Sequence, residues 1–142
     1  MPHAVEAFAR QVLAQHPALN VLVNNASVYS GEKIASQRDL ADAGRMIATN
    51  LLGPIRMTDA FIDHLRAQAD AAIVNVSSGL AFVPYPAAPT YSATKAALHA
   101  YTAAIRPLKK PQQGSDKTGQ SPGNSSLESS HAFLQLNLTG KS

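Results

Sequence analysis

Tyr91 and Lys95 stand four positions apart in the run Tyr91-Ser92-Ala93-Thr94-Lys95. On a helix that spacing places a phenol and an ammonium on one face, one turn apart. A cation beside a phenol favours the phenolate. Such a phenol can give a proton to a carbonyl oxygen or take one from an alcohol. Ser78 lies thirteen residues upstream (91 − 78), just after an apolar run, where its hydroxyl can reach the same oxygen. Asn50 lies a further twenty-eight upstream (78 − 50). A second Tyr-x-x-x-Lys match, Tyr29 and Lys33, encloses Gly31 in a polar stretch without helical period and is read as loop.

These side chains need elements to hold them. Val5, Phe8, Val12 and Leu13 follow an i, i+3, i+7, i+8 stripe, which predicts an amphipathic helix over about 3–16, ended by His16-Pro17. Leu19 to Val23 reads as a short apolar strand, and 25–36 as a loop rich in Ser, Asn and Gly. A long helix is expected over about 37–67, with Leu40, Met46, Ile47, Leu51, Leu52, Ile55, Phe61, Ile62 and Leu65 on its apolar side. Gly53-Pro54 interrupts it, and the proline should kink it by removing one backbone bond. Ala71 to Val76 reads as a buried strand, Gly79 to Pro89 as a proline-rich loop, and Thr90 to about Arg106 as an Ala-rich helix. Strand, long helix and strand make one βαβ unit, which demands parallel pairing and a right-handed crossover. Two apolar strands of this kind suit a sheet covered on both faces. The fold class is therefore α/β. After Arg106 the period stops: 107–130 is rich in Pro, Gly and Ser and is expected to be disordered, while 132–138 can form an isolated short strand or a helical turn.

Ile73-Val74-Asn75-Val76-Ser77-Ser78 is a strand ending in hydroxyls, and Leu22-Val23-Asn24-Asn25-Ala26 is a strand ending in amides. Together with Asn50 and the Tyr91–Lys95 pair, they resemble the short-chain dehydrogenase/reductase family. That family has Asn-Asn-Ala-Gly after its fourth strand, an Asn in the next helix, a Ser after the fifth strand and Tyr-x-x-x-Lys on the helix that follows. The resemblance covers roughly Pro2 to Arg106, with Ser27 where the family usually has Gly.

The resemblance implies a Rossmann-like doubly wound parallel sheet, of which 1–106 is the central, catalytic part, truncated at both ends, and 107–142 a low-complexity tail. It implies an NAD(P)-dependent oxidoreductase that interconverts an alcohol and a carbonyl. In it Tyr91 is the general acid/base, and Lys95 supports Tyr91 and bonds the nicotinamide ribose. Ser78 hydrogen-bonds the substrate oxygen, and Asn50 positions a water in a relay to Lys95. The thirteen-residue spacing selects Ser78 over Ser77. Asn24, Asn25, Ala26 and Ser27 line the cofactor on its adenosine-ribose side, Asn24 also tying neighbouring strands. The helices at 37–67 and 90–106 resemble those through which the family forms homo-oligomers. The apolar residues Leu80, Phe82, Val83 and Tyr85 suggest a non-polar carbonyl compound as substrate.

A dinucleotide-binding fold also needs a glycine-rich turn that holds the pyrophosphate on a helix N-terminus. None of the eight glycines forms such a motif after a strand, and in the family the motif lies upstream of the first helix seen here. The residue that separates NAD from NADP lies upstream as well, so the preference is not readable. The alternative is a non-catalytic fragment that acts at most through oligomerisation or interaction. Without a further strand, Leu19 to Val23 would present an open apolar edge.

Composition narrows the other classes. With 45% hydrophobic residues the chain suits a globular protein, and no run of about 18 apolar residues predicts a membrane span. The net charge is +3, but four of six lysines (Lys109, Lys110, Lys117, Lys141) fall in the tail, so no nucleic-acid footprint is expected. The absence of cysteine excludes disulfides and fits a cytoplasmic protein. The five histidines show no metal-ligand spacing near a carboxylate cluster.

Overall fold

The computed structural model describes residues 2–106 and the strand 133–137. The amphipathic stripe forms α1 (Pro2–Gln15), followed by strand β1 (Val21–Asn24). The long helix expected at 37–67 is two helices, α2 (Ala41–Ile47) and α3 (Gly53–Ala67), joined by a π-helical turn over Ala48–Leu52. Its start is later than expected because Leu40 is not helical and the Asp39 carboxylate accepts from the Ala41 amide at 3.0 Å, taking up one free donor of the first turn. The irregularity precedes Gly53-Pro54 for a covalent reason. Pro54 has no N–H to offer the carbonyl of Asn50, four residues back, so the turn widens and the Gly53 amide reaches Ala48 O instead. Strand β2 (Ala72–Val76), a 3-10 turn (Gly79–Ala81) and α4 (Pro89–Ile105) come next, and β3 (Phe133–Asn137) follows.

β1 and β2 are parallel, in the register Val21↔Ala72 to Asn24↔Asn75, as the βαβ pattern requires. β3 pairs antiparallel with the other edge of β2, giving the order β1-β2-β3. Residues 132–138 thus contribute a strand that is not isolated, and the sheet is mixed. The expectation of disorder over 107–130 lies outside the described residues.

The core forms where α1 and α3 meet the sheet. Ala9, Leu22, Phe61, Leu65, Ala71 and Ile73 are buried together, and Phe8 packs edge-on to Phe61 with centroids 6.5 Å apart. Burying a side chain of the Leu or Phe class is worth about 1.5–3 kcal/mol. Coverage of both faces, expected from the apolar strands, does not extend to β1. Leu22 and Asn24 are 8% exposed, whereas Val21 and Val23, which alternate with them, are 48% and 54% exposed. Successive side chains of a strand point to opposite faces, and the core cluster engages β1 through Leu22. Among the described residues no helix is long and apolar enough to cross a membrane, and no group of three or more His, Cys, Asp or Glu is placed to hold a metal ion.

Candidate active site

Two loops leave the C-terminal ends of the parallel strands, and α4 lies against both regions. Chemistry in open α/β sheets gathers at those ends. α4 starts with Pro89 at its first position, where the missing N–H is not needed. Its second turn carries Lys95, which is 2% exposed and donates from Nζ to Val76 O at 3.0 Å. That bond ties α4 to the end of β2, two residues before Ser78. Lys95 Nζ lies 5.7 Å from the centroid of the Tyr91 ring, so the i, i+4 pair expected from the spacing shares one face. Burial pushes the Lys95 amine below its ordinary value. An ammonium has three donors, and one is committed here, which leaves capacity for a ligand.

Ser77 and Ser78 are both buried, with different partners. Ser77 Oγ donates to Lys95 O at 3.2 Å, so its hydrogen is committed to the backbone of α4. Ser78 caps the 3-10 turn: its Oγ accepts from Leu80 N at 3.2 Å, which leaves its own hydrogen available. The turn it caps packs against α4.

Asn50 is fully buried in the π-helical turn, and its amide is saturated. Oδ1 accepts from Val28 N at 2.8 Å and from Ser27 Oγ at 3.2 Å. Nδ2 donates to Val28 O at 2.8 Å and to Thr94 Oγ1 at 3.3 Å. The side chain therefore clamps the loop after β1 to α4. The Asn50 main-chain carbonyl receives no bond from Pro54, which has no N–H. Ser27, the departure from the family motif, turns its hydroxyl onto Asn50, which accounts for the extra hydroxymethyl group.

Asn24 donates to Asn75 Oδ1 at 2.8 Å, and Asn75 donates to Thr102 Oγ1 at 2.8 Å. These buried amides link β1, β2 and α4 in one chain. Asn24 also borders a cleft of about 290 Å³ with Asn25, Ala26, Gly53, Pro54 and Met57, where Asn25 and Ala26 are exposed and accessible to a ligand.

The structure adds residues that spacing did not single out. Tyr29, read only as loop, packs its ring edge-on to Tyr91, with centroids 5.3 Å apart at 70°. Glu32 is buried in the same loop, pairs with Arg38 and accepts from the Thr90 amide and hydroxyl, both at 2.7 Å. Burial by itself would raise the Glu32 carboxyl, but the bonds from Thr90 and Arg38 outweigh it and hold the group below its ordinary value. No local pattern marks this carboxylate, because Thr90 is 58 residues away. Phe82, Val83 and Tyr85 are exposed on the loop beyond Ser78, and the Phe82 ring lies 4.8 Å from that of His99.

Known proteins resemble this chain in sequence and fold. Residues 1–113 match the family model described as short chain dehydrogenase. The chain is 41% identical over 102 residues to the oxidoreductase DltE of Bacillus subtilis (strain 168), covering 71% of this chain and 40% of that protein. A metagenomic short-chain oxidoreductase solved in complex with NADP superposes with a TM-score of 0.68 at 31% identity, over 75% of this chain and 48% of the other. The alcohol dehydrogenase of the archaeon Thermococcus sibiricus, complexed with 5-hydroxy-NADP, superposes with a TM-score of 0.67 at 25% identity, over 75% and 44%. The chain thus spans about two fifths of the length of the curated relative and somewhat under half of the solved ones. A match across most of the chain, a parallel pair of strands and a Tyr–Lys pair on the helix tied to the end of β2 have one account: the chain belongs to the short-chain dehydrogenase family.

Proposed function

We propose that this chain supplies the proton-transfer part of an NAD(P)-dependent oxidoreductase that interconverts an alcohol and a carbonyl, with Tyr91 as general acid/base. The observation that carries the proposal is the Lys95 bond to Val76 O, which brings the Tyr91–Lys95 face of α4 to the strand end where Ser78 begins. In the reducing direction Ser78 Oγ–H donates to the carbonyl oxygen and Tyr91 gives it the phenolic proton. The Lys95 ammonium stabilises the phenolate that results. The Asn50 main-chain carbonyl holds a water that feeds the proton back through Lys95. The oxidising direction runs the same proton path in reverse.

The residues present fit one part of a nicotinamide dinucleotide. Lys95 has uncommitted donors for a ribose, and Asn24, Asn25 and Ala26 border the cleft after β1 that would take the adenosine-ribose side, while Ser27, expected beside them, turns its hydroxyl onto Asn50. Hydride chemistry belongs to the cofactor. NADP and 5-hydroxy-NADP accompany the two solved relatives, so NADPH is the first ligand to try. The exposed apolar loop of Phe82, Val83 and Tyr85 favours a non-polar carbonyl substrate. The location we propose is cytoplasmic. An apolar groove of about 500 Å³ between α2 and α4, lined by Ile34, Ile47, Leu51, Ala93 and Ala97, suits a second copy of the chain. Light scattering on the full chain tests this, and a single-copy mass at micromolar concentration would sink it.

A second reading is a non-catalytic member of the family that acts through oligomerisation or interaction. Nicotinamide fluorescence separates the two. Micromolar NADPH binding by the full chain supports the enzyme, and no binding at millimolar NADPH supports the second reading. Once binding is seen, Tyr91→Phe should keep the cofactor and lower turnover by about 10²–10⁴. Unchanged turnover would overturn the role of Tyr91.

A further inference from the structure

Glu32 grips the chain on both sides of Pro89. Its amide donates to Ala87 O at 2.8 Å, and its carboxylate accepts from the Thr90 amide and hydroxyl just beyond the proline. The natural capping position, Ala88, has no side-chain oxygen and makes no cap bond. A carboxylate from a distant loop therefore performs the task that Ser, Thr, Asp or Asn does locally at most helix starts. Negative charge there also suits the helix dipole. The side chain is 1% exposed, and its charge is balanced by Arg38 from the same loop.

The turn held in this way is the one that bears Tyr91, the residue after Thr90. Three residues before Glu32, Tyr29 lies edge-on to the Tyr91 ring. One residue further back, Val28 is clamped through both its amide and its carbonyl by Asn50. The loop is thus fixed at two points, Asn50 and the start of α4, and the segment between them presses on the ring of Tyr91. An ion pair kept only for stability has no need to spend two acceptor positions on the first turn of one helix. Buried pairs are commonly no better than apolar packing as stabilisers.

We propose that Glu32 is the positioning residue for Tyr91: by fixing the first turn of α4 and the loop that carries Tyr29, it sets the place of the phenol. The catalytic half of this proposal rests on the role given to Tyr91 above; the structural half does not. Glu32 touches no substrate and acts through Thr90 and Tyr29.

The test uses the full chain with Glu32→Gln, Thr90→Val and Tyr91→Phe, and reads the tyrosine band in near-ultraviolet circular dichroism alongside the helical signal. Tyr91→Phe defines the share of the band that belongs to the Tyr29–Tyr91 pair. Glu32→Gln is expected to lose most of that share with the helical signal intact, and Thr90→Val a smaller part of it. Retention of the whole share in a folded Glu32→Gln chain overturns the proposal. Should Glu32→Gln fail to fold, Thr90→Val decides alone, since it removes one donor and keeps the shape. In turnover, Glu32→Gln should lower kcat by about 10–100-fold with the KM for NADPH unchanged, the effect expected of a misplaced catalytic group. A fall confined to KM, or no fall, overturns the positioning role. A wild-type chain without turnover defeats the proposed activity instead, and the tyrosine band still settles Glu32.

Discussion

The two faces of β1 are opposites. Toward the helices, Leu22 joins Phe61 and Ile73 in the apolar cluster, and Asn24 begins the buried amide chain that runs through Asn75 to Thr102. On the other face Val21 and Val23 are about half exposed, and Val23 lines the cleft it shares with Asn25, Gly53, Pro54 and Met57. All the chemistry proposed above depends on α4, and α4 is joined to the sheet through Asn75–Thr102 and Val76–Lys95. The comparison teaches that a site can be well organised beside a sheet that is only half covered, because its positions are set by a few directed bonds on one side. The open face is instead an apolar surface beside a strand edge that is unpaired among the described residues, the usual origin of unwanted association.

Substitutions can break this contrast, and the largest effect is expected on the covered side. Phe61→Ala should lower the free energy of unfolding by about 3–5 kcal/mol, read by urea denaturation, since it opens a cavity under both Leu22 and Leu65. Asn75→Ala should cost about 1–3 kcal/mol by the same measurement, because it strands the Asn24 amide in the interior. A loss near zero would mean that the amide chain does not join α4 to the sheet energetically. On the open face Val23→Thr should stay within about 0.5 kcal/mol of the parent while reducing light scattering from aggregates. A loss as large as that of Asn75→Ala would show that the face is covered in solution and would abolish the comparison.

Acid sharpens it further. The Glu32 carboxyl titrates below its ordinary 4.5 in the fold, so the unfolded chain binds that proton more readily. Its contribution to stability is complete above about pH 4.5 and is lost as pH falls through the lower, folded value. Thermal melts followed downward from pH 5 should therefore lose stability in wild type, and Glu32→Gln should flatten that component. Lys95 has the same sign at the other end. With its amine pushed below 10.5, its contribution grows as pH rises from the folded value toward 10.5.

Much of the covered side was legible in the sequence. The stripe of Val5, Phe8, Val12 and Leu13 predicts α1, and the two apolar runs predict β1 and β2 with parallel pairing. Local period decides such elements. The details at Leu40 and Pro54 were less accessible. A heptad-like apolar pattern continues through 37–67, and the pattern does not register that Leu40 leaves the helical conformation or that the turn before Pro54 widens to π geometry. The exposure of Val21 and Val23 was also misjudged, since an apolar strand implies a cover and the residues themselves do not state where it comes from. Tyr29 looked like one half of an idle loop pair, and only the path of the loop puts it on Tyr91.

By itself, the sequence determined that a phenol and an ammonium would share a helix face, that a hydroxyl would stand at a strand end, and that the strands around them would run parallel. Each follows from spacings within one element or from the length of one crossover. The tertiary structure decided that Ser77 would be committed and Ser78 left with a free hydrogen, that the Asn50 amide would clamp a loop, and that Glu32 would cap α4. Those outcomes join residues 18 to 58 positions apart. Hydrogen bonds act over about 3 Å, and which distant groups come that close is fixed only when helices and sheet have packed.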